Sequence, residues 1–121
     1  MLDDRFDVSQ YGALSYDETR FPLLCIKTRQ WDNAKPTLLI SGGVHGYETS
    51  GVQGAIRLAG TKALDYAKDF NIVILPCLSP WGYETINRWN PDAIDPNRSF
   101  YLESFFSTSL SLCIIFSAIS I

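Results

Sequence analysis

Apolar and polar positions divide the chain into short runs with different periods. Phe21 to Arg29 (FPLLCIKTR) reads as a strand that becomes more polar toward its end, and Thr37 to Ser41 (TLLIS) as a short, continuously apolar strand of the buried kind. Between them, WDNAKP carries the turn chemistry of Asp32, Asn33 and Pro36. From Ser50 to Asp69 the period changes: Val52, Ile56, Ala59, Ala63 and Ala67 recur at helical spacing and predict one apolar face. Ser50 with Gln53 three residues later makes a capping-box pattern, while Gly54 and Gly60 weaken the helix. Asn71 to Cys77 (NIVILPC) is the next buried strand, and Met1 to Arg20 reads as a polar, turn-prone entry segment. Strand, turn, strand, helix, strand predicts an α/β sheet with a crossover connection. In such sheets ligands bind beyond the C-terminal ends of the strands.

Two groups of polar residues fall at that edge. The first, SGGVHGYETSGVQGA, follows the TLLIS strand and holds the only histidine, His45, three residues before Glu48. A neutral imidazole and a carboxylate together suit Zn²⁺, and Gly42, Gly43 and Gly46 allow a close approach of backbone. Taken alone, the pair also fits a surface histidine in a glycine-rich turn. The second, NRWNPDAIDPNRSF, follows the third strand and brings Arg88, Asn90, Asp95, Asn97 and Arg98 together between stiffening prolines. Guanidinium forks and amides of this kind suit a carboxylate ligand. Taken alone, it also fits a solvated loop closed by Asp95–Arg98 pairing.

In this order the two segments resemble the zinc carboxypeptidase family, over roughly residues 21–100. The resemblance rests on the His-x-x-Glu pair followed by an arginine and a segment like N-P-D-G…D-x-N-R-x-F, here Arg88 to Phe100. It implies a three-layer α/β sandwich around a mixed, mostly parallel sheet, of which this chain would be an incomplete N-terminal part. It implies His45 and Glu48 as zinc ligands and Arg88 as the catalytic arginine that polarises the scissile carbonyl. Asn97 and Arg98 would bind the substrate's terminal carboxylate, and Asp95 would orient the ligating histidine. The implied activity is hydrolysis of C-terminal peptide bonds. The implied substrate is a peptide or acyl-amino acid with a free carboxylate. Ala93, Pro96 and Ser99 depart from the family, which usually has glycine at the first position and often leucine and asparagine at the others.

The same scaffold also resembles the succinylglutamate desuccinylase/aspartoacylase branch, whose amidohydrolases act on small N-acyl amino acids. A third reading is a non-catalytic remnant or weak metal-binding module. It arises because the family's third zinc ligand, a histidine, and its general-base glutamate lie well downstream of the Asn-Arg pair. The sequence has one histidine, ends 23 residues after Arg98, and holds only Glu103 as an acid in that stretch. A truncated chain, inactive alone, is therefore expected.

Composition narrows the classes further. Hydrophobic residues make up 46% and charged residues 19%, a globular balance. The net charge of −3, with basic residues scattered, gives no footprint for nucleic acid. Cys25, Cys77 and Cys113 lie in or near apolar runs and read as reduced thiols, consistent with a cytoplasmic protein. No signal-peptide core precedes the first strand. Residues 1–100 are assigned to the family-like domain and 101–121 to an apolar tail. Within that tail, Ser104 to Ile121 is uncharged and contains six serines. A membrane anchor is disfavoured by those serines and by the missing basic flank; loss of the family's reading frame is preferred. Trp31, Trp81 and Trp89 are read as core caps rather than a substrate wall. Self-association through uncovered sheet is expected.

Overall fold

The computed structural model describes residues 4–99 and the backbone of 112–116. The remainder of the 101–121 tail lies outside the described residues. Five strands form one mixed sheet: β1 (Phe6–Ala13), β2 (Pro22–Thr28), β3 (Thr37–Ser41), β4 (Asn71–Leu75) and β5 (Leu112–Phe116). Their order is β1-β2-β4-β3-β5. The β1–β2 and β2–β4 pairings are antiparallel, and β4–β3 and β3–β5 are parallel. This is the expected α/β class.

The sheet's centre follows from alternation. Leu38 pairs with Ile72, Ile40 with Ile74, and Ile74 on its other side with Ile26, so these side chains point to one face. There Ile72 and Ile74 are completely buried, against Phe6, Ala55, Ala59 and Ala63. Each of these isoleucines contributes roughly 1.5–3 kcal/mol by leaving water.

Helix α1 (Thr49–Thr61) covers that face, and after one residue at Lys62 the chain resumes as α2 (Ala63–Tyr66). The single helix expected over 50–69 is thus divided. The buried face is Val52, Ala55, Ala59 and Ala63; Ile56 is half exposed, contrary to the periodicity reading. The reason is contact distance, since alanines let the helix approach the sheet more closely than a row containing isoleucine. The capping box does not form either. Glu48 is the N-cap residue and makes no side-chain capping bond, while the Gln53 amide donates to the Tyr83 hydroxyl at 2.9 Å.

Two elements were not foreseen. Strand β1 buries only Phe6 firmly, so its sequence reads as polar, and pairing with β2 creates it. Helix α3 (Pro80–Thr85) is a short turn begun by Pro80. No helix among the described residues is long and apolar enough to cross a membrane.

Candidate metal and substrate site

Because β3 and β4 run parallel, the loops that follow them leave the same rim of the sheet. The loops stay paired beyond the strands: the Gly42 amide donates to the Leu75 carbonyl at 2.9 Å, and the Leu78 and Ser79 amides donate to the Gly42 and Gly43 carbonyls at 3.0 and 2.9 Å. Gly43 sits at φ +62°, the left-handed region that favours glycine. A Cβ on Gly46 would lie 1.9 Å from the Gly82 carbonyl carbon, so only two glycines let the histidine loop rest on α3. The Tyr47 amide then donates to the Asn87 carbonyl at 3.2 Å. These contacts bring the two polar segments together.

At their junction the His45 ring is buried and held from two sides. Its Nε2 lies 2.8 Å from Asp95 Oδ1, and its Nδ1 faces Glu48 Oε1 at 3.5 Å. Asp95 also accepts from the Asn97 amide at 3.0 Å and from the Arg88 guanidinium at 3.1 Å; Arg98 Nε stands 3.8 Å away. These donors, the imidazole first among them, hold the Asp95 carboxyl down at about 2. Asp95 is therefore an anion at neutral pH and accepts the proton on Nε2. The other ring nitrogen, Nδ1, is turned toward Glu48; in a neutral imidazole whose proton sits on Nε2 it carries the lone pair.

The donor set fits a metal on chemical grounds. Two donors each about 2.1 Å from a tetrahedral zinc lie about 3.4 Å apart, close to the observed Nδ1–Oε1 gap. Glu48 spends no oxygen on capping the helix and remains available. Among the described residues no group of three His, Cys, Asp or Glu side chains forms a metal site, since Asp95 is on the opposite side of the ring.

Arg88 is not free. One of its terminal nitrogens donates to the Tyr47 hydroxyl at 3.3 Å and the other to Asp95, and the same partners raise its pKa. The Tyr47 contact is not predicted by residue spacing. Asn97 and Arg98 follow Asp95 on a 3-10 turn (Pro96–Ser99) and are exposed beside it, Arg98 with 82% of its side chain open. The preceding loop is shaped by the Asn90 carboxamide, which accepts from the Asp92 and Ile94 amides at 3.0 and 2.8 Å. It passes through Ala93 at φ +60°. That conformation explains why glycine suits this position better. Of the tryptophans, Trp81 packs edge-on to Tyr16 and Trp31 lies under Lys27 Nζ, while Trp89 is half exposed. A separate cavity of about 210 Å³, lined by Arg5, Thr28, Gln30, Lys35, Leu64, Ala67 and Lys68, contains none of the site residues.

A sequence profile of the zinc carboxypeptidase family matches residues 8–111. Among curated proteins none matches the chain. Among solved structures the chain is similar to candidate metallopeptidases from two Shewanella species. For that of Shewanella baltica OS155 the identity is 26% and the TM-score 0.67, covering 81% of this chain and 35% of that one. For that of Shewanella denitrificans OS217 the values are 27%, 0.66, 81% and 36%. It shares its fold with a succinylglutamate desuccinylase/aspartoacylase from Rhodobacter sphaeroides, at 23% identity and TM-score 0.57, covering 81% of this chain and 31% of that one. The chain thus spans about a third of the length of these structures. The profile match includes both rim loops and the strands that carry them, and on that ground the chain belongs to the zinc carboxypeptidase family.

Proposed function

We propose that this chain supplies two zinc ligands and the substrate-carboxylate site of a metallocarboxypeptidase that hydrolyses C-terminal peptide bonds. The observation that carries the reading is the polarised imidazole: Asp95 takes one ring nitrogen, and the other is directed at Glu48. His45 and Glu48 would hold the ion, which when bound supplies Lewis acidity to a carbonyl oxygen and a more acidic water. Asp95 fixes the tautomer and direction of the ring. Arg88, at the same carboxylate, presents its outer N–H groups to a substrate oxygen and would stabilise negative charge developing there. Asn97 and Arg98 offer an amide and a guanidinium fork to the terminal carboxylate.

A catalytic zinc takes three protein ligands, and the sequence holds a single histidine. This reading assigns two ligands and no general base to the chain, so on it the 121 residues by themselves bind zinc weakly and do not turn over substrate. Chelator competition on the purified chain tests this. Weak zinc binding is expected, lost on His45→Ala and on Glu48→Ala, with no cleavage of a blocked dipeptide. Stoichiometric zinc that survives extensive dialysis and is unaffected by His45→Ala would show the ligands to be wrong. Zinc-dependent cleavage abolished by Glu48→Ala would show the chain to be sufficient.

The shared fold of the desuccinylase/aspartoacylase structure favours one second reading, a small N-acyl amino acid as substrate. Titration with N-benzoylglycyl-phenylalanine and with N-acetylaspartate separates the two. Preferential perturbation of Asn97 and Arg98 resonances by the peptide supports the carboxypeptidase reading, and by the acylated amino acid the other.

A further inference from the structure

Tyr47 lies between the two proposed ligands, and three observations connect it to Arg88 rather than to the core. Its hydroxyl accepts from the Arg88 guanidinium at 3.3 Å. Its amide donates to the carbonyl of Asn87, the residue before Arg88, at 3.2 Å. Its ring stands 6.2 Å from that of His45, tilted by 34°, and is 41% exposed, so it faces the rim. The main-chain bond holds the two loops in register, and the hydroxyl contact with Arg88 is the part that the tyrosine side chain itself supplies.

From these contacts we infer that Tyr47 is a positioning residue. With Asp95 it clamps the two terminal nitrogens of Arg88, so that the remaining N–H donors face the rim beside His45. The chemistry supports a clamp. A long arginine side chain at the surface has many rotamers, and ordering it costs side-chain entropy. Asp95 supplies charge at one nitrogen. A single anchor still leaves the guanidinium free to swing about that contact, and the Tyr47 hydroxyl removes this freedom. Pre-ordering a donor in this way strengthens its interaction with a substrate oxygen. The consequence for substrate rests on the reading of Arg88 under Proposed function; the clamp itself does not.

The test uses the full chain with ¹⁵N-labelled arginine. In the unsubstituted protein the Arg88 side-chain N–H resonances are expected to show slowed rotation about the guanidinium bonds. Tyr47→Phe removes only the oxygen and should abolish that slowing while leaving the melting temperature unchanged. Tyr83→Phe, which removes the hydroxyl bonded to Gln53, serves as the control and should leave Arg88 as it was. Affinity for N-benzoylglycine should fall about 5- to 10-fold in Tyr47→Phe, the size of one net hydrogen bond. Slow rotation that persists in Tyr47→Phe, or is lost equally in Tyr83→Phe, overturns the clamp. If the unsubstituted chain does not bind N-benzoylglycine, the substrate reading of Arg88 fails, and the clamp is decided by the side-chain rotation alone.

Discussion

At the scale of single residues, the site is organised by Asp95. It is the common acceptor for His45, Arg88 and the Asn97 amide. Its carboxyl is held at about 2, against about 3.9 in an unfolded chain. A carboxyl depressed on folding contributes stability that is fully present above the unfolded value. That contribution is lost as pH falls through the folded one. The metal-free protein is therefore expected to lose melting temperature between about pH 4 and 2, and Asp95→Asn should flatten that segment of the profile. Thermal melts at half-unit pH steps measure it; identical profiles for the two proteins would contradict the role. The sequence made the His45–Glu48 spacing legible, because three residues at the end of a strand keep both side chains on one loop. Asp95 as the histidine's partner came only with the family resemblance. Tyr47 as the arginine's partner was not legible, since the contact joins loops 41 residues apart and depends on how Gly46 rests on Gly82.

Elements were read correctly where one physical rule dominated. β3 has the predicted bounds because a continuously apolar run has only a buried strand position open to it. α1 was located but its face was misjudged, as the sheet selected alanines over Ile56. β1 and α3 were missed because their order comes from neighbours: β1 from the ladder with β2, α3 from Pro80, the Tyr16–Trp81 contact and the Arg20–Glu84 ion pair. The end of α3 carries a visible cost. Its C-cap, Ile86, lies at φ 57°, ψ 46°, and its side chain is exposed with little packing to offset the strain. For a β-branched residue the left-handed region costs about 1–2 kcal/mol, and helices commonly end in glycine there. Ile86→Gly is expected to stabilise the protein by about 1 kcal/mol in urea unfolding, since added freedom of the unfolded chain offsets part of the relief. A destabilised variant would mean that the isoleucine side chain makes a contact worth more than the strain.

For the molecule as a whole, the described residues leave the sheet with one face covered by α1 and one only partly covered. On the face away from α1, Leu39 and Val73 are register partners, with Leu75 nearby on β4, and all three are only partly buried. Lys27 stands opposite Val73 on the same face, its ammonium over the Trp31 ring at 4.0 Å. The chain spans about a third of the length of its structural relatives, and a net charge of −3 supplies little repulsion between copies. Apolar sheet left open in this way is prone to association. We expect the isolated chain to self-associate through this face, seen as a weight-average mass that rises with concentration in sedimentation. Val73→Glu places a carboxylate across from Lys27, a cross-strand pair that the sheet tolerates, while making the face costly to bury against a second copy. It should shift the protein toward monomer with little change in melting temperature. If the unsubstituted chain stays monomeric at high concentration, the open face is not a contact surface. If Val73→Glu unfolds the protein, the face is core.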